Sequence, residues 1–514
     1  MSMRSEIAAL VFSILGAASA PAAPCDGPTG LYEGSAKSSD GTTTDVTLNL
    51  LCNGGRLRSQ FFTSAGDFEG SDTKLAGAHV TANFDTGAGL GMVDFALKDR
   101  TLAGVFELAG DKGEMVLKQS GNALAADAMT PRLDLTPTQW HTDVHAFATE
   151  LPRRHANAFF SLSRPAFDAE VAALDRRADS ANGDEMLVGL QQIAKSIGDG
   201  HTGVVAPPDR RPMPIEIDRF GKDFRITSVG PGLDDALGAR ILKIGGVPIR
   251  EVWTGVMTLT PRSELATLRE GNALVYLARG YALHGLGVTP DRDHAVYTLE
   301  SDSGRVFDVD VKGLAPRADV PMKSGYQKTA LRFLEPDEPF WCTSLVKNRS
   351  VYCAWHSYQA LKARAAAMFS LVDSVKPKKL VIDMRDNGGG DNTVGYASLV
   401  KPIISRPGLN ARGHLYVLVG PLTFSAAMNN AAQFQDQTRA ILVGQTIGER
   451  PNSYQEPRQF RLPNSHLVVR ASTRWYAFRR KGPNVVAPDK EITPSWNDVK
   501  NGRDPAMDWV LSRR

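Results

Sequence analysis

Long apolar runs are scarce in this chain of 514 residues. Beyond the first two dozen positions, none approaches the roughly 18 uncharged apolar residues that a membrane-spanning helix requires, so no stable span is expected there. Cysteine is scarcer still. Four in so long a chain exclude a disulfide scaffold, although the number is even. Neither sign of charge prevails: 59 Lys and Arg against 56 Asp and Glu leave a net charge of +3. That balance gives no argument for a nucleic-acid partner or an anionic membrane surface. With 42% hydrophobic and 22% charged residues and no low-complexity tract, the main body is not collagen-like, disordered or coiled-coil. Three signatures are also missing. No Gly-Lys-Ser/Thr follows the glycines at 388–390, which argues against a P-loop. No G-x-S-x-G surrounds Ser425, which argues against an α/β-hydrolase esterase. His141 and His145 share a helix face at i, i+4, but no Glu follows His141, so the pair is read as ordinary helix surface and no metal is assigned.

What is present divides the chain into segments. Residues 1–23 read as a secretory signal peptide, with Arg4, an apolar stretch from Ile7 to Ala20, and small residues at Ala18-Ser19-Ala20. Export would place the remainder in a periplasmic or secreted compartment, where disulfides persist. Residues 25–127 alternate in short runs such as Val46-Thr47-Leu48-Asn49-Leu50, which predicts an antiparallel β sandwich or barrel. Residues 128–205 turn helical. Thr136-Pro137-Thr138-Gln139 is a capping-box start, and further helices are expected over Phe159–Leu174 and Glu185–Ile197. Residues 206–330 return to short strands with one helical stretch near Leu268–Tyr281. Residues 331–514 alternate apolar strands with helices, the pattern of a mostly parallel sheet covered on both faces.

Three elements carry candidate chemistry. Ser425 lies in Gly420-Pro421-Leu422-Thr423-Phe424-Ser425-Ala426-Ala427, between a strand and a helix. A helix N-terminus has unpaired N–H groups that could stabilise an oxyanion beside a nucleophilic serine. An N-capping serine fits the same position. Asp383-Met384-Arg385-Asp386-Asn387-Gly388-Gly389-Gly390 could point backbone N–H groups into a cleft, or be a flexible turn. His201, in Gly198-Asp199-Gly200-His201-Thr202-Gly203, could act as a base, or cap its helix. A strip from Arg458 to Lys481 holds seven Lys and Arg and no acid, suited to a solvated sheet face or an acidic ligand.

Taken in order, these pieces resemble the C-terminal-processing and tricorn-type serine peptidases, whose core resembles the ClpP/crotonase fold. Gly444-Gln445-Thr446-Ile447-Gly448 and Pro488-Asp489 match as well. The resemblance spans roughly Thr136 to Trp509. It implies that Ser425 is the nucleophile, with an oxyanion hole from the N–H groups of Ala426 and a loop glycine, Gly389 being preferred. It implies an exported serine peptidase acting on a peptide or protein, without a cofactor. The strand, tight turn, strand unit around Gly245-Gly246 resembles a PDZ-like β insert. One branch of the family pairs Ser with Lys, and the other pairs Ser with His and an acid. Where the first has Lys, this chain has Arg450, which cannot deprotonate near neutral pH, so His201 is the expected base. Where the second has Glu, the chain reads Arg479-Arg480-Lys481-Gly482. Asp489, Glu456 and Glu449 are the candidate orienting acids. A non-hydrolytic ligand- or peptide-binding protein on the same fold is the alternative. Of the three possible cysteine pairings, Cys25–Cys52 and Cys342–Cys353 are expected, each within one segment.

Overall fold

The computed structural model describes residues 25–513, apart from Asp26, 40–42, 64–65, 87–88, 109–110, 208–211, 316–319, 327–329 and Lys481. The expected signal peptide lies outside the described residues. Two compact units meet at Thr130 and Pro131.

The first unit is a closed antiparallel barrel of eight strands, from Gly30–Ser38 to Asp111–Gly121. Leu48, Leu50, Phe61, Phe95, Leu102 and Leu117 line its inside, and around Phe95, Leu102 and Leu117 the burial alternates with more exposed neighbours along the strand. Sequence left sandwich and barrel open. Strand Gly30–Ser38 decides it by pairing with Thr43–Asn53 on one side and Asp111–Gly121 on the other. Closure is tight, since a Cβ on Gly34 would lie 1.9 Å from the Val116 carbonyl oxygen. A Cys25–Cys52 disulfide ties the chain's entry to the second strand.

In the second unit, three helices come first: Pro137–Arg154, Arg164–Arg177 and Gly183–Ser196. The capping box forms, with the Thr136 N–H donating to Gln139 Oε1 at 3.0 Å and the Gln139 N–H to Thr136 Oγ1 at 3.4 Å. An insert built on a seven-stranded antiparallel sheet follows, its path running Ile215–Phe220, Asp223–Val229, Arg240–Ile244, His294–Glu300 and Val306–Lys312. Two local readings differ. After the Gly245-Gly246 turn only Val247–Pro248 pair as a strand, and Ile249–Met257 is a helix. The stretch expected as one helix breaks into Ala266–Tyr276 and Gly280–Gly285. Apolar spacing continues through the break, but Gly280 lies against the Arg292 carbonyl, where a Cβ would come within 2.0 Å.

The α/β core is a six-stranded sheet in the order Phe340–Leu345, Ser350–Trp355, Lys379–Asp383, Leu415–Val419, Ile441–Gly444 and Lys490–Glu491. The first pair is antiparallel and the others parallel. Every residue of the three central strands is buried, with helices on both faces, as uninterrupted apolar runs require. Cys342 and Cys353 are direct cross-strand partners and form a disulfide. A small antiparallel sheet completes the unit: Asn452–Arg461, Val468–Ala477 and the two-residue strand Gly203–Val204. That last pairing, Gly203 with Arg470 and Val204 with Val469, carries the preceding His201 turn to the core.

Candidate active site

Strand Leu415–Val419 ends in a pinned turn. Thr423 Oγ1 donates to the Met384 carbonyl at 2.8 Å and accepts the Gly420 N–H at 3.1 Å. The Phe424 N–H donates to the Asn387 carbonyl at 3.0 Å. These bonds hold Ser425 at φ 54°, ψ −124°, a backbone region that costs a non-glycine residue about 1–3 kcal/mol. Helix Ala426–Gln437 begins at once, and Ser425 makes no side-chain cap bond to it. Its hydroxyl lies instead 3.2 Å from His201 Nε2.

The His201 turn is organised by Asp199. Its Oδ1 accepts the N–H of His201 at 3.0 Å and of Thr202 at 2.8 Å, and the Ser472 hydroxyl at 2.6 Å. Its Oδ2 lies 3.0 Å from His155 Nε2. His155 Nδ1 accepts the Asn157 N–H at 2.9 Å, which leaves the ring proton on Nε2 to donate to Asp199. Burial opposes the Asp199 charge, but these donors, His155 first, bring its pKa down to about 2. The Phe424 ring stacks on His201, centroids 4.7 Å apart. Burial lowers the His201 pKa to about 4 against the opposing pull of Asp199, so the imidazole is neutral near pH 7.

Among the three candidate acids, Glu449 faces His201. It is fully buried and accepts the Ser425 N–H through Oε2. Its Oε1 lies 3.5 Å from His201 Nδ1, and neither atom has a hydrogen-bond partner among the described residues. Burial, reinforced by the neighbouring Glu264 carboxylate, pushes the Glu449 pKa well above the usual carboxylate range. The other two are engaged elsewhere. Asp489 accepts the Leu442 N–H at 2.9 Å and faces Arg412, while Glu456 accepts the Tyr476 hydroxyl at 2.6 Å. Arg450 does not point at the serine; its Nε donates to the Ser263 carbonyl at 2.7 Å.

The glycine loop packs against Ser425. Gly389 has φ 112°, and a Cβ there would sit 2.8 Å from the Ser425 Cβ. Its N–H donates to Asn387 Oδ1 at 3.0 Å. The N–H groups of Gly388, Gly390 and Ala426 find no acceptor among the described residues. Part of the basic strip is used internally: Arg479 forks onto Asp436 at 2.9 and 3.1 Å and reaches Gln435 at 2.6 Å. His141 and His145 both face Asp175, at 2.8 and 3.5 Å. A cleft of about 950 Å³ runs between strand Ile215–Phe220, helix Ala266–Tyr276 and the turn Gly420–Leu422 that leads to Ser425. Sequence reasoning did not single out His155, Ser472 or Glu264. Each acts through a partner distant in the chain and carries no local motif.

Residues 352–492 match the sequence profile of Peptidase family S41. No curated protein sequence matches. Among solved structures, mature CPAF complexed with lactacystin shares 11% identity at a TM-score of 0.50, covering 73% of this chain and 97% of that one. A CPAF mutant shares 12% identity at 0.51, covering 73% and 96%. The photosystem II D1 C-terminal processing protease shares 14% identity over 71% and 98%, but at a TM-score of 0.34 it adds no argument. At such identities the likeness concerns the fold. Joined to the family match within the α/β core, it leads to one conclusion: the core of this chain is similar to that of the serine-type peptidases of Peptidase family S41.

Proposed function

We propose that the chain is an exported endo- or exopeptidase in which Ser425 is the nucleophile, His201 the general base and Glu449 the orienting acid. The observation that carries this reading is the continuous line from the Ser425 hydroxyl to His201 Nε2 at 3.2 Å and from His201 Nδ1 to Glu449. Ser425 Oγ attacks the scissile carbonyl carbon and its proton passes to His201 Nε2. The carbonyl oxygen takes the charge and is held by the Ala426 N–H and an N–H of the 388–390 loop. When the C–N bond breaks, the imidazolium returns its proton to the leaving amine. Water then repeats the sequence on the acyl-serine. To serve as the loop donor Gly389 must first release Asn387, whereas Gly388 and Gly390 have no such bond to break. The cleft beside Gly420–Leu422 would receive the peptide, and the two disulfides favour an oxidising compartment.

Labelling with a fluorophosphonate tests the reading. The chain is expected to label and to hydrolyse a peptide panel, and Ser425→Ala to lose both. Absence of both in the unaltered chain, with intact folding, would leave the non-hydrolytic binding protein as the better account.

A further inference from the structure

The segment from Pro261 to Leu265 lies in the insert and supplies nothing to the chemistry above, yet it is bonded to both catalytic turns. On the side of His201, the Arg262 N–H donates to the Lys195 carbonyl at 3.2 Å and the Ser263 N–H to the Gly198 carbonyl at 3.1 Å. On the side of Glu449, the Leu265 N–H donates to the Gly448 carbonyl at 3.1 Å, and the Arg450 side chain returns to the Ser263 carbonyl. Glu264 sits between the two sets. Its Oε1 accepts the Gly200 N–H at 3.2 Å and its Oε2 the Arg450 N–H at 3.1 Å. Gly200 adjoins His201, and Arg450 adjoins Glu449.

The residue type matters. Glu264 is 6% exposed, in a region that already holds the Asp199 and Glu449 carboxyls. A third buried acid there is costly unless its oxygens are satisfied. The cations facing it are occupied: Lys195 Nζ donates to the Thr202 carbonyl and the Arg450 guanidinium to Ser263. What satisfies Glu264 is one backbone N–H from each turn, each on its own carboxyl oxygen, and a Gln would turn its NH2 donor toward one of them. Gln offers one acceptor, and a hydrophobic residue none.

We propose that Glu264 is a positioning residue, a clasp that fixes the separation of the His201 turn from the Glu449 turn. The proposal rests on reading those two residues as base and acid. It is tested in the full chain with Glu264→Gln by two measurements. Hydrogen exchange is followed in peptides covering 198–203 and 447–452, and kcat and KM are measured per serine titrated by the fluorophosphonate. Losing one of the two bonds is expected to speed exchange in both turns and to lower kcat by about tenfold with KM unchanged. Unchanged exchange in either turn, or unchanged kcat per titrated serine, would overturn the clasp. Should Glu264→Gln fail to fold, Glu264→Asp decides: its carboxylate is one methylene short, so protection at one turn must fall, and protection kept at both turns refutes the proposal. If the parent chain does not label, the peptidase reading fails while exchange still decides the clasp.

Discussion

His201 and Glu449 are buried together, and burial moves their ionisations in opposite directions: His201 down to about 4, Glu449 well above the usual range. The base is therefore unprotonated over most of the accessible pH range. What limits the reaction on the acid side is expected to be the carboxyl, because protonating Glu449 removes the charge that stabilises the imidazolium and, with the proton on Oε1, aims a donor at Nδ1 so that the ring proton moves to Nε2. Glu449→Gln still offers an acceptor oxygen and does not titrate. We expect it to be slower than the parent, with the acid limb of its labelling profile moved down to about pH 4, where His201 takes its proton. An acid limb at the same pH in both proteins would contradict this assignment. Stability follows the imidazole with a definite sign. The folded-state pKa of His201 lies below its unfolded value of about 6.5, so its contribution is full above that pH and is lost as pH falls through about 4. His201→Gln should flatten that part of a plot of Tm against pH. Gly389→Ala adds a methyl at φ 112° and 2.8 Å from the Ser425 Cβ, with strain of about 1–3 kcal/mol on top of the clash. Its labelling rate should fall by about a hundredfold or more while far-ultraviolet circular dichroism is retained. Ser425 was legible because a strand, a glycine turn and a helix flank it in sequence. Glu449 could be named only as one of three acids, since nothing in spacing along the chain says which carboxyl will face a histidine 248 positions earlier, 449 minus 201. His155 and Glu264 were not legible, because their partners are 44 and 186 positions away.

At the scale of elements, the strand–turn–helix units of the core were readable from apolar runs and their punctuation. The turns between them, where the site lies, were not. Their conformations are set by contacts from other segments rather than by local propensity. The helix at Ile249–Met257 and the break after Tyr276 show the same limit inside the insert, and at the break Gly280 lies against the Arg292 backbone despite an unbroken apolar pattern. The close approach of Gly448 to the insert is the clearest case. A Cβ there would meet the Leu268 backbone nitrogen at 2.2 Å and its Cα at 2.5 Å, and backbone cannot yield as a flexible side chain can. Gly448→Ala should thus push the Glu449 turn away from Pro261–Leu265 and depress labelling. Its effect should not add to that of Glu264→Gln, because both act on one junction. Additive losses in the double variant would show that the two act separately.

At the scale of the molecule, the barrel and the remainder have separate cores, and every residue of the proposed site lies after Thr130. A chain beginning at Pro131 is therefore expected to label with fluorophosphonate at a rate close to that of the full chain, and loss of labelling in a folded truncation would assign the barrel a part in the reaction. The connectivity of the second unit has a consequence in time. His201 is carried to Ser425 by Gly203–Val204, and among the described residues that pair has its strand partner in Val468–Ala477. His201 is made before Ser425, but the strand that seats it, Val468–Ala477, follows both in the chain. A growing chain that has reached Ser425 is still without a seated base and without Glu449. The order of the strands thus predicts that a growing chain stays inactive until Val468–Ala477 is made, and nascent chains halted before Val468 should remain unlabelled.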